Sequence, residues 1–178
     1  MASKALGNWT IRGVIRRGTP AAALAVATLV SGSALQAAPH SAEVTLVAGK
    51  TGGGLDFNGY QRGAMTVTIP VGWQVVVHFQ NAGTLAHSLA VLPSGAHNQV
   101  SPAATPAFPG ATTSNFAAGL PKGAEQSFTF DASKSGTYEF VCGVPGHAVT
   151  GQWDALVISD SADSPSVTPA GAATIAVK

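Results

Sequence analysis

The chain has 178 residues, 46% of them hydrophobic and 10% charged, and a formal net charge of +1. That is enough for one domain with a real core, and the composition excludes a disordered polyelectrolyte. Four basic residues crowd the first 19 positions, so five Lys or Arg face all eight Asp and Glu thereafter, a net of −3 that excludes a nucleic-acid footprint.

Lys4, Arg12, Arg16 and Arg17 precede an apolar run at residues 21–30, followed by small residues through Ala37-Ala38. A basic stretch, a short apolar run and a small-residue exit read as a secretory signal over residues 1–38. An uncleaved N-terminal anchor with membrane association is the alternative, although a full bilayer span needs about 20 apolar residues. Arg16-Arg17 leaves twin-arginine export open. Export implies the periplasm or the outer face of the cytoplasmic membrane.

From residue 43 short alternating segments are separated by Gly, Pro, Asn and Asp. Residues 43–48 alternate and break at Thr51-Gly-Gly-Gly; residues 64–69 alternate and stop at Pro70. Residues 74–80 predict a strand with Val75, Val77 and Phe79 on one face and His78 on the other. Asn81-Ala-Gly predicts a turn, and residues 88–92 a strand ended by Pro93. Residues 94–123, with four prolines, read as an extended connection. Residues 125–130, 136–142 and 153–159 predict three more strands, and the Ser-, Thr- and Ala-rich residues 161–178 a flexible tail. Seven or eight strands without an amphipathic helix predict an all-β, Greek-key β-sandwich over residues 43–160.

An exported chain whose one cysteine is Cys142 forms no internal disulfide, so that thiol is either buried and inert or chemically engaged. It ends a strand in Tyr138-Glu-Phe-Val-Cys142-Gly-Val-Pro-Gly-His147-Ala-Val-Thr-Gly-Gln152-Trp153. A tight Pro/Gly loop brings the sulfur and the His147 imidazole into one coordination sphere, and a second short turn brings in Gln152. His87, just past a turn at the start of a strand, fits as the second imidazole, with His97 as its rival. Two imidazoles, a thiolate and a weak axial donor form the set that copper takes in type 1 sites. A catalytic Cys–His pair is disfavoured, because no helix N-terminus lowers the pKa of the thiol. Copper storage would favour Met- or His-rich tracts, and the chain has only Met1 and Met65. Zinc also accepts such a set in vitro.

The Cys-x4-His-x4-Gln block resembles the cupredoxin (blue copper) signature and, within it, the sulfocyanin group. Also similar to that group are Phe57-Asn-Gly-Tyr, Ile69-Pro-Val-Gly-Trp73, the strand to Phe79 and the His87 segment; the resemblance covers residues 43–160. It implies one type 1 copper ion on His87, Cys142, His147 and Gln152, in a monomeric single-electron carrier rather than an enzyme. It also implies transient docking near His147 to a redox partner, a cytochrome complex or terminal oxidase of a respiratory chain. The sequence departs from the group at Gln152, where sulfocyanins usually carry Met and stellacyanins Gln. It departs again at Ser88, where relatives commonly carry Asn or Asp; the shorter hydroxyl is expected to brace the site less well.

Overall fold

A computed structural model describes residues 40–178 apart from 52 and 53. The expected signal or anchor over residues 1–38 lies outside the described residues. Nine strands follow in order: β1 (Ser41–Ala48), β2 (Thr66–Pro70), β3 (Gln74–Asn81), β4 (Ala90–Pro93), β5 (Glu125–Asp131), β6 (Gly136–Val141), β7 (Trp153–Ser159), β8 (Ser166–Thr168) and β9 (Thr174–Val177). A 3-10 turn at Ala96–Asn98 and a single-turn helix, α1 (His147–Thr150), complete the regular structure. Among the described residues no helix is long and apolar enough to cross a membrane.

The strands make two sheets, ordered β5-β3-β1-β9 and β4-β6-β7-β2-β8, with β1–β3 and β2–β7 parallel and the other pairs antiparallel. Alternation in the sequence becomes alternation in burial. β1 sends Ala42, Val44, Leu46 and Ala48 inward, β3 sends Val75, Val77 and Phe79, and β7 sends Leu156 and Ile158. Phe128, Phe130 and Phe140 fill the space between the sheets. His78 stays at the surface, with Nδ1 2.8 Å from the Ser127 hydroxyl. The all-β sandwich is the fold the patterning predicts.

Residues 161–178 are not a flexible tail. β8 pairs with β2 and β9 with β1, so the segment closes one edge of each sheet. Its strands are mostly exposed, with only Val167 and Ile175 half-buried, and at three and four residues are too short for their alternation to stand out; backbone pairing to an existing sheet edge orders them.

The connection over residues 94–123 is also more than a crossing. It runs back along β4 and the segment before it, pairing a bond at a time: Ala107 N–H to Val91 O (2.8 Å), Val91 N–H to Ala111 O (2.9 Å), Thr113 N–H to Leu89 O (2.8 Å) and Leu120 N–H to His87 O (2.7 Å). It therefore covers the β4 edge and fixes the backbone that carries His87.

Candidate metal centre

Cys142 follows β6 directly, and its N–H still pairs with the Gln152 carbonyl at 3.2 Å. Gly146 (φ 84°) turns the chain into α1 and Gly151 (φ 133°) turns it out, so His147 opens the helical turn and Gln152 lies just beyond it. These backbone angles are ones a residue with a side chain rarely adopts. His87 comes from the opposite side, held by a reciprocal pair with Leu120 (His87 N–H to Leu120 O 3.2 Å, Leu120 N–H to His87 O 2.7 Å). Asn81, buried at the end of β3, shapes the turn before it: its Nδ2 donates to the Leu85 and Leu120 carbonyls (2.8 Å each) and its Oδ1 accepts the Gly83 N–H at 2.9 Å.

One donor atom each from His87, Cys142 and His147 lie within 4.8 Å of one another. Cys142 Sγ is 3.5 Å from His147 Nδ1 and accepts the Ser88 N–H at 3.4 Å. Gln152 Oε1 is 2.8 Å from His87 Nδ1 and 3.1 Å from His147 Nδ1. The two imidazoles are 5.1 Å apart between ring centroids. Four side chains from three segments thus point sulfur, two nitrogens and an amide oxygen at one spot. His97, the alternative imidazole, is engaged elsewhere, with Nδ1 2.8 Å from Glu139 and its ring stacked on Trp153 at 3.9 Å.

The electrostatics suit a metal. Burial pushes both His87 and His147 below the ordinary imidazole range, partly opposed by the Gln152 oxygen, so both are neutral near pH 7. Burial pushes the Cys142 thiol up, partly opposed by the N–H groups of Ser88 and Val144. His87 is fully buried, yet its Nε2 has no hydrogen-bond partner, and a β-carbon on Gly83 would come within 2.9 Å of that atom. One buried and one half-buried neutral imidazole, a buried thiol and a converging amide oxygen fit a soft or borderline cation.

Around these four lies a shell with no local sequence signature. The Ser88 hydroxyl donates to the Phe116 carbonyl at 2.6 Å and accepts the Gly143 N–H at 2.9 Å. It therefore ties the cysteine loop to the connection, a firmer brace than its length suggests. The Val100 carbonyl accepts the Gly146 N–H at 2.7 Å. Asp56, whose side chain is buried, accepts the Gln152 Nε2 amide on its main-chain carbonyl at 3.2 Å. Asp154, also buried, accepts the Met65 N–H at 2.9 Å, while its other oxygen has no partner. Burial, with a smaller contribution from Asp56, pushes its carboxyl up to about 7.

Residues 33–168 match the family model described as Sulfocyanin (SoxE) domain. The chain is 34% identical over 116 residues to Sulfocyanin from Sulfolobus acidocaldarius; the match covers 62% of this chain and 58% of that protein, little more than half its length. Among solved structures, the copper protein rusticyanin is similar at 26% identity and a TM-score of 0.53, over 67% of this chain and 78% of that one. A rusticyanin variant with glutamine in place of a methionine is similar at 26% identity and a TM-score of 0.52, over the same shares. Rusticyanin of Thiobacillus ferrooxidans matches the fold at 24% identity and a TM-score of 0.53, over 67% and 77% of the two chains.

Proposed function

Since the chain belongs to the sulfocyanin family, we propose that it is a mononuclear type 1 copper protein that carries single electrons. In this reading His87, Cys142 and His147 hold the metal and Gln152 Oε1 is the weak fourth donor. The observation that carries it is the convergence of three buried or half-buried donor atoms within 4.8 Å. When bound, copper supplies a one-electron Cu(I)/Cu(II) couple. The protein supplies a donor set that moves little. The two imidazoles and the thiol arrive from rigid segments, and Gln152 is held by its backbone and both ends of its amide. Neutral imidazoles need no deprotonation to bind; the buried thiol does, and its Ser88 N–H contact stabilises the thiolate.

His147 is the half-buried ligand, beside exposed Pro145 and Val149 and the Val100 loop. Val149 is 45% exposed and Val100 62% exposed. That apolar rim suits a small, transient interface with a redox partner. A cytochrome complex or terminal oxidase is the partner class the family resemblance suggests. Residues 1–38 act as signal or anchor in this reading, and a monomeric sandwich works in the periplasm or at the outer face of the cytoplasmic membrane. A nucleophilic role for Cys142 is disfavoured, because burial raises its thiol instead of activating it.

The test is an absorption and EPR spectrum of the full chain after adding Cu(II), beside Cys142→Ser. An intense thiolate-to-copper band and a narrow copper hyperfine splitting, both lost in the variant, are expected. A colourless protein with ordinary copper EPR would exclude Cys142 as a ligand and the electron-carrier reading with it.

A further inference from the structure

Gln152 can offer a metal either end of its amide, and nothing in the glutamine itself decides which. The surroundings do. Its Nε2 lies 3.2 Å from the main-chain carbonyl of Asp56, an acceptor with no proton to give. Turned over, the amide would set its oxygen against that carbonyl and its NH2 against His87 and His147. The carbonyl itself is well placed, for it also accepts the Gly49 N–H at 3.1 Å.

That carbonyl sits on a loop which the buried Asp56 side chain holds together. One carboxylate oxygen accepts the N–H groups of Lys50 (3.1 Å) and Gly59 (2.8 Å). The other accepts the Thr51 N–H (3.3 Å) and hydroxyl (2.6 Å). Asn58 pegs the same loop to β1, its Oδ1 accepting the Val47 N–H at 2.6 Å and its Nδ2 donating to Thr45 O at 3.1 Å. Four accepted bonds on one carboxylate and two on the carbonyl leave the Asp56 peptide little freedom.

We infer that Asp56 is a positioning residue for the metal centre: its carbonyl captures the Gln152 NH2, and so presents Gln152 to the metal through oxygen alone. The inference rests on Gln152 being the fourth donor. Asp56→Asn isolates it, because whichever way the new amide sits, at least one loop N–H loses its acceptor.

The experiment is a double-mutant cycle on the full chain, comparing Asp56→Asn alone, Gln152→Met alone and both together. Two readouts are taken: the Cu(II) EPR spectrum, and side-chain amide hydrogen exchange of Gln152 in metal-free protein. Asp56→Asn is expected to shift the hyperfine splitting and rhombicity when Gln152 is present and to leave them unchanged in the Gln152→Met background. Exchange of the Gln152 amide is expected to quicken about tenfold, the loss of one buried hydrogen bond. An equal spectral shift in both backgrounds would overturn the inference, as would unchanged amide exchange. Should Asp56→Asn fail to fold, Thr51→Ala removes a single donor to the carboxylate and enters the same cycle, with the same outcomes deciding. A Gln152→Met spectrum identical to the parent would instead remove the fourth-donor reading, and the role of Asp56 with it.

Discussion

Phe116 fills the space where Gly143 would carry a side chain: a β-carbon there would stand 2.5 Å from three atoms of the ring. Gly143 is the first residue of the cysteine loop and Phe116 belongs to the long connection, so the two segments meet through a vacancy in one and an aromatic ring in the other. Gly143→Ala is expected to displace the ring and destabilise the fold by about 1–3 kcal/mol in denaturant melts. Phe116→Ala alone is expected to cost about 3–5 kcal/mol. Together they should cost clearly less than the sum, because the smaller side chain makes room for the methyl group. Strict additivity would show that the contact does not couple the two segments.

Gln152→Met is expected to raise the reduction potential. An amide oxygen is a harder donor than a thioether and favours Cu(II), so exchanging it favours Cu(I). Voltammetry of the two proteins checks this, and a potential that stayed level or fell would sink it.

Metal binding is expected to release about one proton near pH 7. The unloaded thiol is protonated, because burial raises its pKa, whereas both imidazoles are already neutral. Apparent affinity should therefore rise about tenfold per pH unit up to the raised thiol pKa. An indicator-dye titration measures the release, and Cys142→Ser should abolish it.

Asp154 sets a pH dependence of stability with an unusual sign. Its carboxyl is pushed up to about 7 in the folded chain, so between about 4 and 7 the unfolded state gives up a proton that the folded state keeps. Stability of the metal-free protein is thus expected to fall as pH rises through that window, by about 4 kcal/mol at most. Asp154→Asn, which keeps an acceptor for Met65 N–H and carries no charge, should match the parent at pH 4 and exceed it at pH 8. Parallel pH profiles for the two proteins would show that Asp154 is already ionised.

Val149→Asp places a charge on the rim beside His147. Electron self-exchange between two copies, followed by NMR line broadening, is expected to slow about tenfold, most strongly at low salt. The absorption spectrum should not change. Equal self-exchange rates would move the docking face elsewhere.

Much of this was legible in the chain itself. β1, β3 and β7 bury alternate residues, and a period of two survives in the sequence wherever one face meets the core. The Cys142 to Gln152 block was legible because loop geometry there is local. The brace on Gln152 was not, since Asp56 lies 96 residues away and its carbonyl has no side-chain identity to read. Phe116 was hidden in a proline-rich stretch whose bonds to β4 come singly. β8 and β9 were hidden because edge strands of three and four residues look like coil until their partners exist.

β1 and β9 also bring the two ends of the described chain together. Ser41 and Lys178 exchange backbone hydrogen bonds (2.9 and 3.2 Å), so both ends of the described chain leave from one pole. The other end of β1 leads to Gly49, which abuts His87, about 23 Å away along eight extended residues. An electrode linker attached at either end would put the length of the sandwich between electrode and metal. Such a device would conduct poorly through its mooring, yet it would leave His147 turned toward whatever diffuses in from solution.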